Sequence, residues 1–195
     1  MPVFNSKQLL ADLEADVQTC ITATAHWAQL SVETLRQPPA NGGWSVVEVL
    51  DHLNFYGAFY TEAIATAMAN SGRAPGGQFN SGWLGNYFTR IIGPAPAGKV
   101  LKQKFKAPAN AKPLAPRQLD PQEVLQQYQA YQQTLQQLLQ QVHHKNLGTI
   151  RVPTSLSPLV RLKLGDTFRF VIAHQQRHHQ QIQRILTEVA EGQRV

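Results

Sequence analysis

Apolar side chains recur every three or four residues in four long segments of the chain, and this periodicity constrains the fold more than any other feature. Such spacing places apolar residues on one face of an α-helix. The segments predict helices over residues 6–35, 45–70, 120–142 and 165–190. Because each helix has to bury its apolar face, we expect an all-α protein in which the four pack together.

Two of these helices have clear N-terminal signals. Ser45 and Glu48 form a capping box, in which the hydroxyl and the carboxylate satisfy free backbone amides. Trp44 and Val49 flank the box with the spacing of a hydrophobic staple. Asp120 is a candidate cap for the third helix. These signals fix the beginnings of the second and third helices.

Residues 71–119 interrupt the helical pattern with six prolines and seven glycines. Within them, residues 81–92 have helical spacing and residues 100–106 are compatible with an extended segment. We interpret the stretch as a long crossover between the second and third helices. Residues 1–195 are then predicted to form one domain, a four-helix bundle with a long crossover.

The composition narrows the class of protein. Of 195 residues, 43% are apolar, which is enough for a folded core. No run approaches the roughly 18 apolar residues of a membrane span, and the N-terminus lacks the apolar core of a secretory signal. Cys20 is the single cysteine, which excludes an intramolecular disulfide and a multi-thiolate zinc site. We therefore expect a cytoplasmic protein with no membrane association.

The net charge of +6 is unevenly distributed. Residues 1–62 carry a net charge of −5, whereas residues 63–119 contain eight basic residues and no acidic residue. Such a basic region is compatible with a solvated loop, or with binding of nucleic acid, an anionic surface or a small anionic substrate. The sequence has no stacking module or recognition helix, so we do not expect nucleic acid as a partner.

Three histidines occupy apolar faces of predicted helices. His174 and His178 are four residues apart, so both imidazoles project from the same face of the fourth helix. His52 lies on the apolar stripe of the second helix, between Val49 and Tyr56. A buried imidazole needs a partner, and three imidazoles from neighbouring helices can satisfy this need together by binding a divalent cation. Separate core histidines are the alternative interpretation.

Two motifs resemble those of the DinB/YfiT-like superfamily. One is GWSVVEVLDHL at residues 43–53, and the other is HQQRHHQQI at residues 174–182. The resemblance implies a four-helix bundle, commonly a homodimer, that binds its metal through three histidines. Carried over to matching positions, the metal ligands are His52, His174 and His178.

Three neutral ligands leave coordination sites open on a metal, which is the catalytic pattern. Zinc, nickel, manganese and iron are all compatible with such a site. The ion would activate water for hydrolysis or a thiol for S-transfer on a small-molecule substrate. The resemblance favours a low-molecular-weight thiol such as bacillithiol, mycothiol or glutathione. Basic residues that could bind its carboxylates are Lys99, Lys102, Lys104, Lys106 and Lys112.

Three further residues are candidates for the surroundings of the metal. Gln181, three positions after His178, could hydrogen-bond a ligand. Glu48 could orient His52, although we favour its role in the capping box. Tyr56 and Tyr60 lie along the same stripe and are expected to belong to the core or to a wall of the pocket, rather than to act as acid or base groups. We expect Asp51, beside His52 but off the stripe, to be solvated.

The other histidines and Cys20 have simpler interpretations. His143 and His144 close the third helix, where positive charge suits the helix dipole. His26 is expected in the core or on the surface, and His179 points away from the face of His174. Cys20 is interpreted as a small buried apolar residue.

Three functions are compatible with the sequence. The first is a metal-dependent enzyme, a thiol-S-transferase or hydrolase. The second is a non-enzymatic bundle whose metal is structural or absent. The third is a binder of an anionic partner through residues 63–119. Metal analysis followed by His174→Ala and His52→Ala would separate the first two, because loss of a structural metal would unfold the protein. A steep dependence of binding on salt would indicate the third.

Overall fold

The computed structural model describes residues 1–40, 42–71, 74–95 and 106–192. Helix accounts for 66% of the described residues, and the strands form two small sheets. The all-α prediction is therefore confirmed. The helices are α1 (Ser6–Trp27), α2 (Val32–Arg36), α3 (Val46–Ala69), α4 (Trp83–Ile92), α5 (Pro121–Val142) and α6 (Leu164–Gly192).

The predicted first helix, over residues 6–35, is wrong in its extent. The chain leaves the helical path after Trp27, and a separate short helix α2 begins at Val32. Ser31 caps α2, because its hydroxyl oxygen accepts a hydrogen bond from the Thr34 amide at 3.2 Å. Because a serine side chain competes for backbone amides in this way, the first helix ends before Ser31 although the apolar spacing continues past it.

Two small antiparallel sheets lie outside the predicted pattern. β1 (Val3–Asn5) pairs with β2 (Gln78–Asn80), and β3 (Arg151–Thr154) pairs with β4 (Ser157–Lys163). The first sheet joins the N-terminus to the crossover. In the second, β4 continues directly into α6, so the hairpin fixes where that helix begins.

The four long helices pack against one another. α5 contacts α1 and α3, and α6 contacts the same two helices. The buried apolar side chains form two groups, one around Leu139 and Phe168 and the other around Leu50 and Ile182. Both α3 and α6 contribute to each group, so the middle turns of these helices lie at the junction of the two groups.

The start of α4 is held against α6 by a buried carboxylate. Asp166 is fully buried and accepts hydrogen bonds from the Ser81 hydroxyl and from the Gly82 amide, the latter at 2.7 Å. Arg169 pairs with the same carboxylate at 3.2 Å. The predicted helix over residues 81–92 is therefore present and packed on the main body. The predicted extended segment, residues 100–106, lies outside the described residues except for Lys106.

In the described part of the chain, none of the helices combines the length and the apolar character needed to cross a membrane.

Candidate metal centre

Helix α3 supplies the first side chain of the site. Glu48 accepts hydrogen bonds from the Ser45 amide at 2.8 Å and from the Ser45 hydroxyl at 2.7 Å, so this carboxylate serves the start of the helix. His52 follows Glu48 by one turn and is only 4% exposed. The N-terminal cap thus fixes the turn from which His52 projects into the interior.

Helix α6 supplies the other two side chains. His174 and His178 are 7% and 8% exposed. They lie between Val171, which belongs to the first apolar group, and Ile182, which belongs to the second. Because α3 packs on α6, the junction of the two groups brings the three histidines together.

The three imidazoles converge on one point. Ligand atoms of His52, His174 and His178 all lie within 4.8 Å of one another. The Nε2 atoms of His174 and His178 are 3.0 Å apart. Two nitrogen ligands bound at about 2.0–2.1 Å and roughly at right angles would be separated by about 3 Å. The arrangement therefore fits a divalent metal ion without a large rearrangement of α6.

Hydrogen bonds orient two of the three rings. The Nδ1 atom of His52 lies 2.6 Å from the carbonyl oxygen of Ala111. The Nδ1 atom of His178 lies 2.9 Å from Oε1 of Gln181. Both partners accept, so each Nδ1 carries the proton and each Nε2 presents its lone pair. Ala111, rather than Glu48, orients His52, because the Glu48 carboxylate is engaged with Ser45.

Burial keeps all three imidazoles neutral. It lowers the pKa of His174 well below the ordinary value, and repulsion from His178 and His52 adds to the effect. Burial, with repulsion from His52 as the next cause, lowers the pKa of His178 to about 3. The pKa of His52 is lowered by burial, against the opposing effect of the Ala111 carbonyl. Neutral imidazoles are the form that binds metal, so protons compete weakly here.

Aromatic rings surround the cluster. The ring of Tyr56 lies edge-on to His52 and His174, at centroid distances of 5.1 and 4.9 Å. The ring of Trp44 lies 4.9 Å from that of His52. Burial raises the pKa of the Tyr56 phenol, which keeps it protonated. These rings limit the access of water to the histidines.

A small cavity of about 10 Å³ lies beside His174, enough space for about one water molecule. Tyr56 and Tyr60 both line it. Gln175 also lines it, and its buried Oε1 atom has no hydrogen-bond partner among the described residues. The full lining is Leu53, Tyr56, Gly57, Tyr60, Phe170, Val171, His174 and Gln175.

The remaining histidines lie away from the cluster. His26 is exposed at the end of α1, and His143 follows α5 with its Nε2 atom 2.7 Å from a Glu14 carboxylate oxygen. His179 points away from His174 as predicted, yet it is buried. Its Nε2 atom lies 2.8 Å from the Tyr128 hydroxyl, and burial lowers its pKa to about 4.

Cys20 is buried, as predicted, at 2% exposure. Burial is the main cause that raises the pKa of its thiol to about 12, and the negative charge of Asp16 adds to it. A thiol that stays protonated and enclosed is a poor nucleophile. The thiol of the proposed chemistry is therefore not supplied by Cys20.

Two contacts of the site were not predicted from the sequence. The Ala111 carbonyl is a main-chain atom, for which no side-chain pattern exists. Asp51, expected to be solvated, is instead half-buried, and its Oδ2 atom accepts a hydrogen bond from the Leu114 amide at 3.1 Å. Both contacts come from the returning segment, by which we mean residues 106–119.

A family model for the DinB superfamily matches residues 17–182, a range that includes His52, His174 and His178. The chain belongs to the DinB superfamily, whose members are associated with metal. Comparison with curated proteins and with solved structures found no match.

Proposed function

We propose that this protein is a divalent-metal-dependent enzyme that acts on a small molecule, with His52, His174 and His178 as the metal ligands. The observation that carries the proposal is the convergence of three buried, neutral imidazoles within 4.8 Å of one another. Burying three imidazoles side by side is costly unless their remaining ring nitrogens also find partners, and one shared metal ion would supply such a partner. Membership of a metal-associated superfamily supports the same conclusion.

The residues of the site have separate roles in this proposal. A bound zinc, nickel, manganese or iron ion would supply the positive charge that lowers the pKa of a water or a thiol. Ala111 and Gln181 hold the imidazoles in the tautomer that presents Nε2 to the ion. The rings of Trp44 and Tyr56 exclude bulk water, which strengthens electrostatic interactions inside the site.

We propose S-transfer from a low-molecular-weight thiol, or hydrolysis, as the reaction class. S-transfer rests on the superfamily resemblance together with the open coordination sites that three ligands leave. Recognition of the thiol by lysines stays a prediction. Lys106 and Lys112 are exposed, and Lys99, Lys102 and Lys104 lie outside the described residues.

The architectural expectations belong to the same proposal. The mutual packing of α1, α3, α5 and α6 supports a four-helix bundle, and we propose that residues 1–195 form one domain. A homodimer is proposed on the superfamily resemblance alone.

A structural metal is the second candidate. The cavity beside His174 has space for about one water molecule, which favours a closed site over one that admits a substrate. In that case the ion would link α3 to α6 and contribute to folding. The third interpretation, an anionic partner on residues 63–119, concerns a region of which 72–73 and 96–105 lie outside the described residues.

Thiol conjugation tests the proposal. The protein, stripped of metal and reloaded with each of the four ions, is assayed with bacillithiol, mycothiol or glutathione and a chromogenic electrophile. We expect metal-dependent turnover in the wild type and in His26→Ala, whose histidine is exposed, and its loss in His174→Ala. Ester and amide substrates test hydrolysis in parallel. Inactive protein that loses its helical circular dichroism on metal removal would instead indicate a structural ion.

A further inference from the structure

We propose that Asp51 is a positioning residue for the metal centre, acting through the returning segment, residues 106–119. The inference rests on the proposed metal site. Asp51 and His52 are neighbours on α3, and each contacts the returning segment. The Asp51 carboxylate accepts the Leu114 amide at 3.1 Å, and the His52 Nδ1–H group donates to the Ala111 carbonyl at 2.6 Å.

The two contacts form a closed unit. Ala111 ends a short 3-10 turn in which its amide donates to the Pro108 carbonyl at 2.9 Å. Leu114 follows three residues later. Because both ends of this stretch are bound to consecutive residues of one helix, displacing Leu114 also displaces the Ala111 carbonyl from His52.

The returning segment keeps its place through the buried side chains of Ala111 and Leu119 and through a small number of hydrogen bonds to the rest of the protein. Pro108, Pro113 and Pro116 lack an amide proton, so this stretch can form fewer backbone hydrogen bonds. Arg36 provides one more anchor, since its guanidinium donates to the Leu119 carbonyl at 2.8 Å. That anchor lies eight residues beyond Ala111, whereas the contact of Asp51 with Leu114 lies only three residues beyond it.

The contacts link the position of the segment to metal affinity. A metal held by Nε2 of His52 would polarise the Nδ1–H group and would strengthen its hydrogen bond to Ala111. By thermodynamic reciprocity, the factor by which the docked segment raises metal affinity equals the factor by which metal stabilises the docked segment. Asp51 shifts both quantities in the same direction.

A direct effect of charge has to be separated from this positioning role. The negative charge of Asp51 raises the pKa of His52, against the larger effect of burial, and it would also attract a cation. Asp51→Asn removes the charge and keeps an oxygen that accepts the Leu114 amide. Asp51→Ala removes both. Lys145→Met is the matched control, because Lys145 donates to the Ser71 carbonyl at 2.8 Å and so anchors the far end of the crossover.

The experiment measures the affinity of the full chain for Zn²⁺ and Ni²⁺ by chelator competition, together with hydrogen exchange of residues 106–119 with and without metal. We expect Asp51→Ala to lose about tenfold in affinity, the lower end of the range for groups that support ligands. Asp51→Asn should retain affinity within about threefold, and Lys145→Met should match the wild type. Metal should slow exchange at residues 106–119 in the wild type and less in Asp51→Ala.

Several outcomes overturn the inference. Equal metal affinity in Asp51→Ala and the wild type is one such outcome. An equal loss of metal affinity in Asp51→Ala and Asp51→Asn is another, because it would show that the charge of Asp51 acts alone. If Asp51→Ala fails to fold, the exchange measurement on the wild type still tests the inference. Exchange at residues 106–119 that does not change on metal binding would then contradict it. If the wild type binds no metal, the proposed function fails first. If it binds metal and only these effects are missing, Asp51 alone loses its role.

Discussion

The Nδ1 atom of His52 lies 2.6 Å from the carbonyl oxygen of Ala111, although 59 residues separate them in the sequence. A carbonyl oxygen only accepts, so it fixes the proton on Nδ1 and leaves Nε2 free. Gln181 does the same for His178 at 2.9 Å. The candidate metal centre is thus formed by α3, α6 and the returning segment together.

Removal of the Gln181 amide should weaken metal binding. Gln181→Ala leaves the Nδ1–H group of His178 without its acceptor, so we expect a loss of about 10–100-fold in affinity for Zn²⁺ or Ni²⁺. Chelator competition measures the effect. Gln183→Ala, on an exposed position of the same helix, is the control and should bind as the wild type does. Equal affinities in both variants would show that the hydrogen bond has no role in binding.

The metal-free protein should lose stability on acidification. Burial lowers the pKa of His178 to about 3 and that of His179 to about 4, from 6.5. Below about pH 6.5 these histidines are therefore protonated in the unfolded chain but stay neutral in the folded chain. Each such histidine removes up to about 1.4 kcal/mol of stability per pH unit as the pH falls towards its folded pKa.

Urea unfolding in the presence of a chelator, between pH 7.5 and 4.5, measures this loss. His179→Gln should reduce the slope, because one of the buried titrating groups is gone. A free energy of unfolding that stays constant over this range would contradict the burial of neutral histidines.

Gly85→Ala should destabilise the packing of α4 on α6. A β-carbon at Gly85 would overlap the side chain of Asp166, which is held by the Gly82 amide and by Arg169 and so cannot easily move. The clash should cost about 1–3 kcal/mol, which outweighs the gain of about 1 kcal/mol from replacing glycine in a helix. Urea titration compares it with Gly77→Ala, where no atom lies within 4 Å. Similar stabilities of the two variants would contradict the close approach.

Cys20 should be inert towards thiol reagents in the folded protein. Its side chain is 2% exposed and its thiol pKa is raised to about 12 by burial and by Asp16. An aromatic disulfide reagent should modify it only after unfolding in urea, with one equivalent released per chain. Modification of the folded protein at the rate of a free cysteine would show that the packing of α1 on α5 and α6 does not bury this side chain.

The long helices, apart from the end of the first, and the faces that carry the three histidines could be predicted from the sequence because both depend on local spacing. His174 and His178 share a face through their four-residue separation, and His52 lies on a regular apolar stripe. β1 and β2 were missed because they pair only three residues each across more than 70 positions of the sequence. Such pairing depends on tertiary contacts rather than on local pattern.

The surroundings of the histidines were less predictable. His179 points away from His174 as predicted, and because α6 also packs on α1, its ring contacts those of Trp27 and Tyr128. Asp51 lies off the apolar stripe of α3, but it is half-buried and accepts a hydrogen bond from the Leu114 amide of the returning segment. A single helical periodicity describes one buried face, whereas α3 and α6 each bury more than one face.

Metal content tests the central claim most directly. Elemental analysis of the purified protein, after loading with Zn²⁺ or Ni²⁺ and dialysis, should give one ion per chain for the wild type and for His26→Ala. His52→Ala and His174→Ala should retain no ion while keeping their helical circular dichroism. If the wild type retains no metal, or if both site variants retain as much as the wild type, the three histidines are not the ligands of a metal centre.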